Sequence, residues 1–192
     1  GQYDLAVKLL KNNKIIDSKL DWDFGKGHLV IVGDVFDRGD KVNEILWLIY
    51  KLEVQAKNKG GQVHFILGNH EYMILQKDLR YINDKYKLSS KLIGLKYDEL
   101  YSSQTILGRW LRSKSTIIKI NDNVFVHGGV SKNFIIKNGV DFDRLNLIMR
   151  KHIDFPKKEM KSMDFYDLYY GQNSLIWYRG YFKRYFDKYK EN

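Results

Sequence analysis

Within the seven residues GDVFDRG, numbered 33 to 39, stand two aspartates, an arginine and two glycines; GNHE follows at 68 to 71 and HGG at 127 to 129. Asp34, Asn69 and His127 offer a carboxylate, an amide oxygen and an imidazole, a donor set suited to a hard-to-borderline divalent ion. A carboxylate can bridge two such ions with its two oxygens, and ions roughly 3.5–4 Å apart can clamp a phosphate and acidify a water between them. Asp34 is the expected bridge. Asn69 holds an ion without adding charge that would repel phosphate, and His127 ligates through one ring nitrogen while its other nitrogen needs a partner. Arg38 carries a planar guanidinium that can take two phosphate oxygens at once, which Lys could not reproduce. A histidine oriented by a carboxylate can protonate a leaving alkoxide, and His70 with Asp37 is the expected pair.

These loops need elements to hold them. HLVIVG, residues 28 to 33, is a short apolar run bounded by glycines and reads as a strand buried on both faces. Val42, Ile45, Leu46, Ile49, Leu52 and Ala56 then recur at helical spacing, in a helix beginning near Asp40 and stopped by Gly60-Gly61. VHFIL, residues 63 to 67, is a second strand ending at Gly68. The three elements form a β-α-β unit with parallel pairing, and both polar loops then lie at the carboxyl edge where α/β sheets bind ligands. Residues 72 to 113 read as mostly helical, 115 to 129 as two strands around an Asn121-Asp122-Asn123 turn leading into His127, and 141 to 170 as helical with a break near Pro156. No repeat or low-complexity linker divides the chain, so one domain over 1–192 is expected.

GDVFDRG, GNHE and HGG, in this order and after apolar strands, resemble the motif series of the calcineurin-like metallophosphoesterases, in the branch that holds the phosphoprotein phosphatases. LGRWLRSK (107 to 114) and WYRGY (177 to 181) are similar to the bacterial Shewanella-like protein phosphatases. The resemblance implies an α/β sandwich of two mixed sheets flanked by helices, and a metal-dependent phosphomonoesterase in which a hydroxide bridging two Mn, Fe or Zn ions attacks phosphorus. It implies that Asp34 bridges the metals, Asn69 and His127 ligate the second, Arg38 binds phosphate, Asp37 pairs with His70 as the acid, and Arg179 in WYRGY is a second phosphate-binding arginine. Two departures qualify the match. The family's first motif, Asp-x-His-Gly, is matched only by Gly1, and its final Gly-His motif is absent. The chain therefore reads as an internal piece, with one metal or none and negligible activity alone. Two other readings compete: hydrolysis of dinucleoside polyphosphates by the same chemistry, and a non-catalytic fragment or binding module.

Composition sets the outer bounds. The 192 residues carry no cysteine, which excludes thiolate metal sites and disulfides, and no apolar run approaches the ~18 residues a membrane helix needs. The chain is expected to be soluble, in a bacterial cytoplasm or periplasm, and nothing in it fixes an oligomeric state. The net charge of +10 comes from scattered lysines rather than a stripe, so it reads as a solvated surface or a basic field for an anionic substrate, a phosphoprotein or small phosphoester, and not as a dedicated nucleic-acid groove. Arg80, Arg109, Arg112, His28 and His64 read as structural, His152 as surface, and the aromatic cluster from Tyr166 to Tyr185 as core. Glu71 could assist His70, without a firm role.

Overall fold

The apolar positions of the longest helix explain the centre of the molecule. In the computed structural model, which describes residues 1–182, Val42, Ile45, Leu46, Ile49, Leu52 and Ala56 are all buried. At roughly 1.5–3 kcal/mol per fully buried aliphatic side chain, this face outweighs the modest helix propensity of its β-branched residues. The elements in chain order are α1 (Tyr3–Asn12), β1 (His28–Ile31), α2 (Val42–Asn58), β2 (Gln62–Phe65), α3 (Asn69–Leu75), α4 (Asp84–Ile93), α5 (Ile106–Arg112), β3 (Ile117–Ile120), β4 (Asn123–Val126), α6 (Lys132–Asn138), α7 (Phe142–Lys151), α8 (Lys157–Met160) and α9 (Tyr166–Tyr169). A 3-10 turn, Tyr97–Tyr101, lies between α4 and α5.

The expected β-α-β unit is present. β1 and β2 pair in parallel with His28 opposite Gln62 and Ile31 opposite Phe65, and α2 crosses between them. β3 and β4 pair antiparallel, Ile117 opposite Val126, around the Asn121–Asp122 turn. A parallel bridge from Ile66 to Ser115 ties the two ladders together. The fold class is α/β, as expected.

Several details differ from expectation. Among the described residues each sheet is two-stranded and of one sense, one parallel and one antiparallel, rather than mixed. β1 is not buried on both faces: His28 is exposed and Leu29 to Ile31 are half-buried. The reason is that among the described residues only β2 flanks it, and a cavity of about 380 Å³ opens between β1, α1 and α2. α2 starts at Val42 rather than near Asp40, and its N-cap is Lys41 without a side-chain cap. α3 starts at Asn69, three residues earlier than the hydrophobic period suggests, because Gly68 and Glu71 cap it. The segment from 72 to 113 is helical in pieces, broken at Gly94, which takes the left-handed conformation that ends α4. Among the described residues no helix is long and apolar enough to cross a membrane.

Candidate metal and phosphate site

Three chain crossings meet at the carboxyl edge of β1 and β2. The β1 loop delivers Asp34, Asp37 and Arg38, the β2–α3 junction delivers Asn69 and His70, and β4 runs into His127. Close backbone packing makes this possible. A Cβ on Gly33, whose φ is +83°, would stand 2.4 Å from the Gly68 nitrogen, so the first two loops touch main chain to main chain. Gly128 and Gly129 donate their N–H groups to the Leu175 carbonyl at 2.8 and 3.3 Å, docking the His127 loop onto the turn that carries Arg179.

The expected donors come together. His127 Nε2 lies 2.9 Å from Asn69 Oδ1 and 3.4 Å from Asp34 Oδ1. His127 Nδ1 lies 2.7 Å from the Val32 carbonyl, which can only accept, so Nδ1 carries a proton and Nε2 is the nitrogen left to ligate. Nε2 faces the Asn69 side-chain oxygen and an Asp34 carboxylate oxygen, and with its lone pair free the three make a donor set suited to a cation. Ligands about 2.0–2.2 Å from one ion sit roughly 3 Å from each other, which these separations match. No group of three or more His, Cys, Asp or Glu side chains is placed to hold a metal among the described residues, because the third donor here is the Asn69 amide. The residues present fit a divalent ion.

Asp37 and His70 also meet. His70 Nδ1 is 2.5 Å from Asp37 Oδ2, and both residues are buried. That hydrogen bond raises the His70 pKa above its ordinary value, against burial, which pulls it down. The other Asp37 oxygen is buried without a partner among the described residues, so the carboxylate is committed to the imidazole. Arg38 is exposed and, among the described residues, has no ion-pair partner; its guanidinium lies 5.7 Å from the centre of the Tyr81 ring. Arg38, Asp37, His70 and Asp34 border a cavity of about 150 Å³. Arg179 donates from Nη1 to the Tyr178 carbonyl at 2.9 Å, and its Nη2 lies 3.4 Å from His127 Nε2. The structure thus brings all the expected site residues to one edge.

The residue that the motif reading left without a role is Glu71. It is fully buried, and its carboxylate accepts from the backbone N–H groups of Asp34 (2.8 Å), Val35 (2.8 Å), Phe36 (3.3 Å) and Gly68 (2.8 Å). Burial and then the Asp34 charge push its pKa up, while the amide hydrogen bonds pull it down. It does not assist His70 directly; it fixes the Asp34 loop to the α3 start. The signal was in the sequence, since glutamate three residues after a helix N-cap is the reciprocal half of a capping box.

Gly68 gives a direct test of this packing. Its φ of −94° suits alanine, yet an added Cβ would lie 2.7 Å from Asp34 Oδ1 and 2.9 Å from His127 Nδ1. Gly68→Ala is expected to fold and to lose metal affinity by roughly 10–100-fold, the usual effect of disturbing ligand orientation. Calorimetric metal titration of both proteins reads this, and unchanged affinity contradicts the placement of the two donors.

The remaining singled-out residues have structural partners. Arg80 chelates Asp78 at 2.8–3.1 Å, and Arg112 binds Asp154 and the Tyr101 and Gly108 carbonyls. Arg109 donates to the Gln104 carbonyl. His28 and His64 share a 3.0 Å contact across β1 and β2. His152, expected at the surface, is half-buried and stacked on Phe165 with ring centres 4.0 Å apart. Tyr169 is in the core as expected, whereas Tyr181 is 62 % exposed; Tyr185 lies outside the described residues.

Comparison with known proteins identifies the family. Residues 1–180 match the family described as calcineurin-like phosphoesterase. Shewanella-like protein phosphatase 2 of Arabidopsis thaliana is 26% identical over 221 residues, covering 93% of this chain and 55% of its own length. Shewanella-like protein phosphatase 1 of Plasmodium berghei is 27% identical, covering 92% and 48%. The solved cold-active protein-tyrosine phosphatase of a psychrophilic Shewanella species superposes with a TM-score of 0.91 at 48% identity, over 95% of this chain and 55% of that one. The chain spans about half the length of these relatives.

Proposed function

Because the chain belongs to the calcineurin-like phosphoesterase family, we propose that the whole protein is a metal-dependent phosphomonoesterase acting on phosphoproteins, with phosphotyrosine preferred. The observation that carries this reading is the meeting, at one sheet edge, of the Asp34–Asn69–His127 donor trio, the exposed Arg38 guanidinium, without an ion-pair partner among the described residues, and the Asp37–His70 pair. The tyrosine preference is supported by 46–49% identity to solved structures described as protein tyrosine phosphatases, against 26–27% for the Arabidopsis and Plasmodium relatives.

Asp34, Asn69 and His127 would hold a divalent metal, Mn, Fe or Zn by donor type, and the second carboxylate oxygen of Asp34 would be available to a further ion. A bound metal centre supplies an acidified water and positive charge against the phosphate. The chain's own residues do the rest. Arg38 takes non-bridging phosphate oxygens and stabilises the charge that develops on them. Asp37 holds His70 by Nδ1, which leaves Nε2 to deliver the proton to the departing oxygen. Arg179 adds a second guanidinium beside His127.

The whole protein, loaded with metal, is to be assayed on a phosphotyrosine peptide, a phosphoserine peptide and a dinucleoside tetraphosphate. The expected result is a kcat/KM at least about 10-fold higher for phosphotyrosine, a difference of roughly 1.4 kcal/mol in transition-state binding. Turnover of the dinucleoside tetraphosphate alone would replace this reading with that of a polyphosphate hydrolase.

A further inference from the structure

Arg38 does not hold itself in place. It and Asp37 have φ values of +57° and +66°, a left-handed conformation that residues with a Cβ adopt only when their surroundings impose it. The segment Arg80–Asn83, which joins α3 to α4, supplies that restraint. The Arg38 N–H donates to the Tyr81 carbonyl at 2.9 Å, and Asn83 Nδ2 donates to the Arg38 carbonyl at 2.9 Å. Both main-chain polar groups of Arg38 are thereby tied to one short stretch 43 to 45 residues downstream. The Tyr81 ring then lies 5.7 Å from the Arg38 guanidinium and 5.6 Å, tilted by 60°, from the His70 imidazole. Arg80, the ring's other cationic neighbour at 5.5 Å, is occupied by Asp78 and does not compete for anion binding as a free charge.

We propose that Tyr81 is a positioning residue for the phosphate clamp: its ring selects the Arg38 side-chain orientation that meets the phosphate, and its carbonyl and Asn83 select the backbone conformation beneath it. The ring does this without touching substrate. A guanidinium resting on an aromatic face loses little of its hydration while giving up most of its rotational freedom, so less ordering remains to be done when an anion arrives. Tyr81 is 42 % exposed, so its contribution to the core is small and removal of its ring need not unfold the protein.

The inference rests on the phosphatase reading for its purpose, and its test is anion binding rather than turnover. The probe is inorganic phosphate, titrated calorimetrically into the whole, metal-loaded protein. Tyr81→Leu keeps an apolar side chain and loses the π face; it is expected to weaken phosphate binding by roughly 5–10-fold. Tyr81→Phe keeps the face and is expected to restore affinity to within about 2-fold of the unmodified protein. Asn83→Asp retains the oxygen that caps α4 through the Lys85 N–H but removes the donor to Arg38, and should also weaken phosphate binding. In the Arg38→Ala background, the Tyr81→Leu effect should vanish, because a residue acting through Arg38 has nothing left to position.

An equal loss in both backgrounds, or equal losses for Leu and Phe, would overturn the proposal, since a general structural support behaves that way. A protein that binds phosphate with the predicted non-additivity but hydrolyses no phosphoester leaves the role of Tyr81 standing and removes the functional reading. A protein that binds no phosphate removes both.

Discussion

His70→Asn is expected to lower turnover of a phosphotyrosine peptide by the whole protein by roughly 10²–10⁴, the range for a lost general acid, while leaving metal content unchanged. His70 stands next to the proposed ligand Asn69, but its ring is engaged by Asp37 at 2.5 Å and takes no part in the Asp34–Asn69–His127 trio. The hydrogen bond to Asp37 is the main cause of its raised pKa, and burial opposes it. The sign follows directly: a raised pKa keeps the imidazolium, the proton-donating form, populated at higher pH than in a free histidine. A fall of kcat at high pH is therefore expected from deprotonation of His70, and the asparagine variant should lack it. The defect should shrink with p-nitrophenyl phosphate, whose leaving group needs little protonation. Loss of metal on His70→Asn, or an equal defect with both substrates, would mean that His70 is not the acid.

Glu71→Gln is expected to lower the melting temperature by about 5–15 °C. The carboxylate has two acceptor oxygens serving four backbone donors, and the residue is fully buried. Glutamine replaces one oxygen with an NH₂, which turns part of this arrangement into donors facing donors. Each buried amide left without an acceptor costs about 1–3 kcal/mol, and roughly 2–4 °C of melting temperature is lost per kcal/mol in a chain of this size. The same change frees the backbone of Asp34 and Gly68, so weaker metal binding should accompany it. Glu71→Asp tests the length of the tether: a carboxylate one methylene shorter cannot span both loops and should not restore stability. A Glu71→Gln protein that melts within about 1 °C of the unmodified one would show that water substitutes for the carboxylate at no cost.

Much of the site was readable from residue types and order, because strands that end in glycine and a polar residue have one edge at which to gather. Asp34, Asn69 and His127 follow three separate strands, yet the β-α-β crossover and the β3–β4 hairpin leave those strand ends one place to meet. The pairing of Asp37 with His70 was legible for the same reason. What was not legible depends on contacts without a periodic signature. The Val32 carbonyl that sets the His127 tautomer is a main-chain group, invisible to any reading of side chains. The restraint of Arg38 by Tyr81 and Asn83 comes from a connecting segment whose composition resembles any exposed turn. β1 reads as a doubly buried strand because Leu, Val and Ile alternate with nothing, but burial depends on what lies beside a strand, and only β2 does among the described residues. His152 looked like a surface residue beside Arg150 and Lys151, whereas its ring found Phe165 across a loop.

The central claim is that Asp34, Asn69 and His127 form a cation site, and thermal unfolding with and without metal tests it without any assay of turnover. For residues 1–192 alone, adding Zn or Mn at about 100 times its dissociation constant should stabilise the fold by roughly 2.7 kcal/mol, a rise of about 5–10 °C for a chain of this length. Asp34→Asn keeps the side chain's size and removes the charge, so the rise should disappear in that variant, while the metal-free melting temperature stays close to that of the unmodified chain. A metal-induced rise that is the same size in Asp34→Asn would contradict the account.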